Sequence, residues 1–205
     1  MLTLLALAVR DGRLPRNPAS GVKPPRLGAA RRRYLSHQQV AALADAAGEY
    51  GLAVRVLAYC GIRYGELAAL RASHVDLLRR RLDIAEGMTE VGGKAIFGTP
   101  KNHQCRSVPI PRGIADDLAA QLAGKQPDGV VFTAPKGEVL LLRNWRRNVF
   151  DRAAVAAVLE GLTPHKLRHT AASLAVSAGA NVKVVQRMLG HTSAAMTRHP
   201  RGPVR

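Results

Sequence analysis

The hydrophobic rhythm of this chain changes twice along its length, and that limits the fold more than any other feature. Residues 36–71 carry apolar side chains at helical spacing, interrupted at Gly61. Between about 75 and 110 the pattern becomes short apolar runs separated by glycine-rich turns. LDIAE, KAIFG and RSVPI read there as three antiparallel strands, with Gly92-Gly93 as a hairpin turn. Helical spacing returns over 112–123, 143–159, 164–178 and 181–188. The expected fold is mainly α with a small three-stranded antiparallel sheet, an α+β arrangement. Composition agrees: 47% of residues are hydrophobic but only 4% aromatic. The core must therefore rest on Leu, Val, Ile and Ala, which suit helices better than a sandwich of aromatic-rich strands.

Local signals mark where the helices begin and end. Ser36 opens a helix that runs to about Ala47, and Gln39 completes a capping box. Leu52 to Tyr59 and Tyr64 to Arg71 follow as two more, and Asn181, just after Gly179-Ala180, is a natural cap for the last. At the front, residues 2–10 read as a helix stopped by Asp11-Gly12 and then by Pro15 and Pro18. Residues 15–33 hold four prolines and six Lys or Arg against no acidic residue, which makes an extended basic linker.

Charge narrows the function classes. The chain has 31 Lys and Arg against 14 Asp and Glu, a formal +17, and residues 161–205 hold seven Lys or Arg with no acid. A polyanion is the expected partner, because each phosphate contact releases condensed counterions. Cys60 and Cys105 make no metal-ligand spacing and read as free thiols in a reducing compartment. The apolar start LTLLALAV is too short to span a bilayer and no basic residue precedes it, so the expected location is the cytoplasm.

The chemistry-bearing residues fall in four places. CGIRYGEL (60–67) and HKLRHT (165–170) each set an arginine beside a helix, LGH (189–191) follows closely, and a lysine stands in GTPKNHQCRSVPIP (98–111). Arg63, Lys101, His165, Arg168 and His191 form a cationic set suited to one phosphodiester. Arginine forks bind two phosphate oxygens at once and stay charged, so Arg63 and Arg168 can clamp a phosphate from two sides. Lys101, between strands, can protonate a leaving 5′ oxygen. His165 stands three residues before Arg168, one helical turn earlier, and can take a nucleophile's proton. His191 can donate to the phosphate, and Glu66 can orient Arg63 from the same helical face. His165 and His169 are an i,i+4 pair, but Lys166-Leu167-Arg168 between them lacks the acid of a zinc-protease helix, so no metal is expected. His169 reads as a core histidine.

Together these segments resemble the catalytic domain of the tyrosine recombinases, the phage integrase family. CGIRYGELAALR is similar to the first arginine box, GTPKNHQCRSVPI to the hairpin lysine followed by a basic residue and Val-Pro, TPHKLRHTAAS to the His-x-x-Arg-His box, and MLGHTSAAMT to the Leu-Gly-His box. The resemblance implies a recombinase catalytic domain over residues 34–197, preceded in 1–33 by the end of a core-binding domain and its linker. It implies double-stranded DNA as the partner, with a second copy or an intact recombinase as further candidates, and no membrane or small-molecule substrate. It also implies no metal and no cofactor, because the bond energy is kept in a covalent 3′ phosphotyrosine.

The family's nucleophilic tyrosine would fall at Pro200 or Arg201, yet the last tyrosine of the chain is Tyr64 and the segment after Thr197 reads RHPRGPVR. Residues 198–205 are therefore expected to be an aberrant tail, such as a frameshift would leave. The chain is expected to bind DNA as a truncated integrase fragment of prophage origin and not to cut it. Two other readings stay open: a prophage remnant without function, and a transcriptional regulator using AASLAVSAGANVKVVQRMLG (171–190) as a helix-turn-helix. Val182, Val184 and Val185 look like core positions, which speaks against a base-reading helix there.

Overall fold

The computed structural model describes residues 2–22, 34–99 and 105–190, and the chain divides into two units, Met1–Arg32 and Arg33–Arg205. The first unit holds α1 (Leu2–Arg10), which ends where the sequence predicts. Gly12 takes a left-handed φ of 69°, and the amides of Asp11 and Gly12 donate back to the carbonyls of Leu7 and Val9.

In the second unit Ser36 caps α2 (His37–Ala46) through the expected reciprocal pair. The Gln39 amide donates to Ser36 Oγ at 3.2 Å, and the Ser36 amide donates to Gln39 Oε1 at 3.0 Å. Next come α3 (Gly51–Cys60) and α4 (Tyr64–Ala68). The strands are β1 (Val75–Asp76), β2 (Arg81–Ile84), β3 (Gly87–Val91), β4 (Lys94–Gly98) and β5 (Arg106–Pro109). Then follow α5 (Ala115–Leu122), α6 (Leu142–Trp145), α7 (Asp151–Ala156), α8 (Pro164–Ser177) and α9 (Val182–Leu189). Pro164 opens α8 at a position where its missing N–H costs nothing, and Asn181 Oδ1 caps α9 by accepting from the Lys183 amide at 2.8 Å.

The core is built round α3. Seven of its ten residues are buried, including Val54, Val56, Leu57 and Cys60, and only the narrow face of Leu52, Arg55 and Tyr59 is part-exposed, so the helix lies between others. α2 and α8 pack against it, and α7 packs against α2. Leu67, Leu82, Leu118, Trp145, Phe150 and Leu167 complete this core. Burying each such side chain is worth about 1.5–3 kcal/mol, so the helical layer dominates stability. Trp145 stands between Tyr64 and Phe150, with ring centroids 5.2 and 5.1 Å away.

The strand region differs from the sequence reading in one respect. RSVPI and LDIAE do pair, with Leu82 opposite Val108 and Ile84 opposite Arg106, but the third strand of that antiparallel sheet is β1, in the order β1-β2-β5. KAIFG instead pairs with β3 in a separate hairpin, Val91 opposite Lys94, turned by Gly92 and Gly93 at φ 57° and 78°. Both turn residues need positive φ, so the two glycines dictate a tight two-residue connection to the strand just before them. The segment expected as one helix over 143–159 is divided too: α6 runs into a π-wound turn at Arg146–Phe150 before α7, and the helix ends at Ala156.

Two burial expectations are corrected. Val185 is buried, but Val182 and Val184 are exposed, because α9 turns only its Val185, Met188 and Leu189 face inward. His169 is exposed, because Leu167, Arg168 and Ala171 take the inner face of α8.

Candidate functional site

The site starts from a turn. α3 ends at Gly61, whose φ of 63° reverses the chain, and a Cβ there would come within 2.7 Å of Leu189 and 3.0 Å of Ala171. Only glycine supplies both the left-handed backbone and the clearance. That close approach brings α8 and the end of α9 against the start of α4. Four residues later Gly65 lies against β3, where a Cβ would collide with the Met88 carbonyl oxygen. The two glycines of CGIRYGEL are therefore packing requirements that set Arg63 between them.

Arg63 is the N-cap residue of α4, and Glu66 is three residues on. The Arg63 amide donates to Glu66 Oε2 at 2.7 Å and its Nη1 to Glu66 Oε1 at 2.9 Å, so Glu66 orients Arg63 as expected. Glu66 is only 4% exposed. A second arginine, Arg106 on β5, closes on the same carboxylate: Nη1 donates to Oε1 at 2.9 Å and Nη2 to Oε2 at 2.6 Å. Its Nε donates to the Met188 carbonyl at 2.9 Å. Burial alone would raise the Glu66 pKa, but the bonds and charge of Arg106, helped by Arg63, outweigh it and hold the carboxyl below its usual range.

Arg168, 3% exposed, is held differently. Its Nη1 donates to the Gly61 carbonyl at 2.5 Å and its Nη2 to the Leu189 carbonyl. Burial pushes its pKa down, Arg63 and Arg106 add to this by repulsion, and Glu66 opposes it. Three guanidinium groups thus share one carboxylate, and the surplus positive charge sits where water is scarce.

Arg63 and Arg168 both line one cleft of about 260 Å³, together with Thr163, His165, Tyr64 and Arg146. His165 is exposed on the first turn of α8 and stacks edge-on against His169 at 5.2 Å. A neighbouring cleft of about 600 Å³ runs past Arg143, Arg146 and the Gly92-Gly93 turn. Such a groove can accept a phosphate between two arginines, with further cations beside it. Tyr64 lines both clefts, but its hydroxyl donates to the Leu140 carbonyl at 2.8 Å and burial raises its pKa, so it is poorly placed to ionise.

The profile of the phage integrase family matches residues 33–199. The chain belongs to that family. Tyrosine recombinase XerD of Pseudomonas aeruginosa is 30% identical over 203 residues, which cover 92% of this chain and 63% of the relative. This chain therefore spans less than two thirds of that relative's length. A Tn1549 transposon integrase, solved in complex with transposon right end DNA, aligns with a TM-score of 0.79 at 20% identity, over 98% of this chain and 72% of that one. XerA recombinase aligns with a TM-score of 0.67 at 25% identity, over 96% and 67% of the two chains.

For this integrase-family chain the sequence-predicted set is thus partly assembled. Arg63, His165 and Arg168 come to one cleft. Lys101 lies between β4 and β5, and His191 follows the left-handed cap Gly190, and both fall outside the described residues. Sequence reading assigned no role to Arg106, although strand alternation places it on the face that carries buried Val108. An arginine turned toward the core needs an acid, and Glu66 was the one available in the first arginine box. Arg146 was missed as well, since the π turn that follows α6 leaves no mark in the sequence. Among the described residues no cluster of His, Cys, Asp and Glu could hold a metal, and no helix is long and apolar enough to cross a membrane.

Proposed function

We propose that residues 34–197 form a recombinase catalytic domain that grips one backbone phosphate of duplex DNA between Arg63 and Arg168. The observation that carries this reading is the shared cleft: two arginines from distant segments reach it, with His165 at its edge. Lys101 and His191, from the segments beside β5 and α9, complete the cation set. In the family's reaction a tyrosine oxygen attacks the phosphorus and the 5′ oxygen leaves with a proton, which the lysine supplies. Here the segment after Thr197 offers no hydroxyl or thiol, and Tyr64 is committed to Leu140. The chain therefore holds DNA without cutting it, in the cytoplasm, as the product of a prophage-type integrase gene. Residues 1–33 are the end of a core-binding domain with its basic linker, and 198–205 are a tail that presents no nucleophile.

The test uses the full chain and a nicked duplex that traps covalent intermediates. Fluorescence anisotropy should show binding that weakens steeply with salt, and denaturing gels should show no protein–DNA adduct. A chain whose segment after Thr197 is replaced by a tyrosine-bearing helix is the positive control. An adduct formed by the unaltered chain would overturn the non-cleaving reading, and salt-insensitive binding would overturn the phosphate clamp.

A further inference from the structure

We infer that Arg106 is a positioning residue for the phosphate clamp: by occupying one acceptor site on each oxygen of Glu66, it keeps that carboxylate from drawing in the rest of the Arg63 fork. This deepens the proposed phosphate reading and rests on it. The argument is a count of acceptor sites. An ionised carboxylate offers about four, two on each oxygen. Oε1 accepts from Arg63 Nη1 and Arg106 Nη1, both at 2.9 Å, and Oε2 accepts from the Arg63 amide at 2.7 Å and Arg106 Nη2 at 2.6 Å. Glu66 is saturated. Arg63 therefore gives it one side-chain N–H, and Nε and Nη2 of Arg63 are left for a ligand in the cleft.

Without Arg106 two acceptor sites on a buried carboxylate fall vacant. The nearest cation able to fill them is Arg63, already bonded to Oε1 and linked to Oε2 through its own amide. Arginine and carboxylate prefer the two-point fork, so Arg63 would turn from the cleft onto Glu66. Arg106 is itself fixed from a third direction, since its Nε donates to the Met188 carbonyl. A Cβ at Gly190 would lie 3.3 Å from Arg106 Cδ, so the turn leading to His191 packs directly on this arginine. One side chain thus ties the first arginine box to the Leu-Gly-His box.

The experiment measures affinity of the full chain for a short random-sequence duplex by fluorescence anisotropy over a salt series. The variants are Arg106→Met, Arg106→Lys, Glu66→Gln and the two Arg106 changes each combined with Glu66→Gln. Arg106→Met should weaken binding roughly tenfold and lower the salt slope by about one, as for loss of one phosphate contact. Arg106→Lys, which meets one carboxylate oxygen instead of two, should lose roughly threefold. Adding Glu66→Gln to either should return affinity to within about threefold of the unaltered chain, because the group that captures Arg63 is neutralised. A purely structural role for Arg106 would not give that rescue. Should Arg106→Met fail to fold, Arg106→Lys and its double variant carry the test. Unchanged binding in the folded Arg106 variants, or a loss that Glu66→Gln does not relieve, overturns the inference. Arg63→Ala and Arg168→Ala separate it from the parent reading: if neither weakens binding, the clamp itself is wrong.

Discussion

Arg106 and Arg168 reach the same short stretch of backbone, the C-terminal turn of α9, where one donates to Met188 and the other to Leu189. Arg168 is buried and Arg106 is half-buried, and their surroundings are otherwise opposite. Arg106 meets a carboxylate with both Nη groups, so its charge is paired and its work is to hold parts together. Arg168 donates to two carbonyl oxygens and to no carboxylate, so Glu66 offsets its charge only through space. A buried cation with no carboxylate on its fork is a site prepared for an anion. The same residue type thus serves architecture at one end of the site and ligand binding at the other, and the nature of the acceptor decides which.

The sharpest way to break this contrast is to remove the carboxylate. Glu66→Ala leaves the inward-facing Arg106 and Arg63 with no carboxylate and should destabilise the fold by about 3–5 kcal/mol, read as a fall in the urea midpoint. Arg168→Met should behave the other way. Relief from burying a charge that no carboxylate bonds offsets two orphaned carbonyls, so stability should change by no more than about 1 kcal/mol. Duplex binding should nevertheless weaken by about 1.5–3 kcal/mol, measured by anisotropy at low salt. Destabilisation of Arg168→Met as large as that of Glu66→Ala would erase the distinction.

Acid titration adds a second handle. The folded-state pKa of Glu66 is lowered, so its stabilisation is fully present above the ordinary glutamate value near ~4.3 and fades as pH falls through the lower folded value. In the Glu66→Gln variant the unfolding free energy should fall less steeply below that pH. The smallest expected effect is Tyr64→Phe, which gives up one bond to Leu140 and should cost about 0.5–1.5 kcal/mol while leaving duplex affinity unchanged.

The contrast also explains what could be read from sequence. Features fixed by a few adjacent residues were legible: the Ser36-Gln39 box, the Gly92-Gly93 turn and the Asn181 cap each depend on local hydrogen bonds or positive φ. The clamp pair was legible because Arg63 and Arg168 stand in distinctive boxes, and both reach the cleft. Pairings over distance were not. KAIFG could join either sheet by its pattern, and only the tight turn assigns it to β3. Arg106 was hidden for the same reason, since its partner lies 40 residues away. Val182 and Val184 misled because valine on a short two-helix turn need not face inward, and Val184 is 60% exposed.

The carbonyls that anchor Arg168 belong to the main chain at Gly61 and Leu189, and no replacement of either side chain deletes them. A survey by alanine replacement would leave both carbonyls in place at either position, yet at residue 61 one added methyl would meet Leu189 and Ala171 in a left-handed turn. The grip on Arg168 is therefore written in peptide geometry, and the turn at residue 61 is where a side-chain change reaches it.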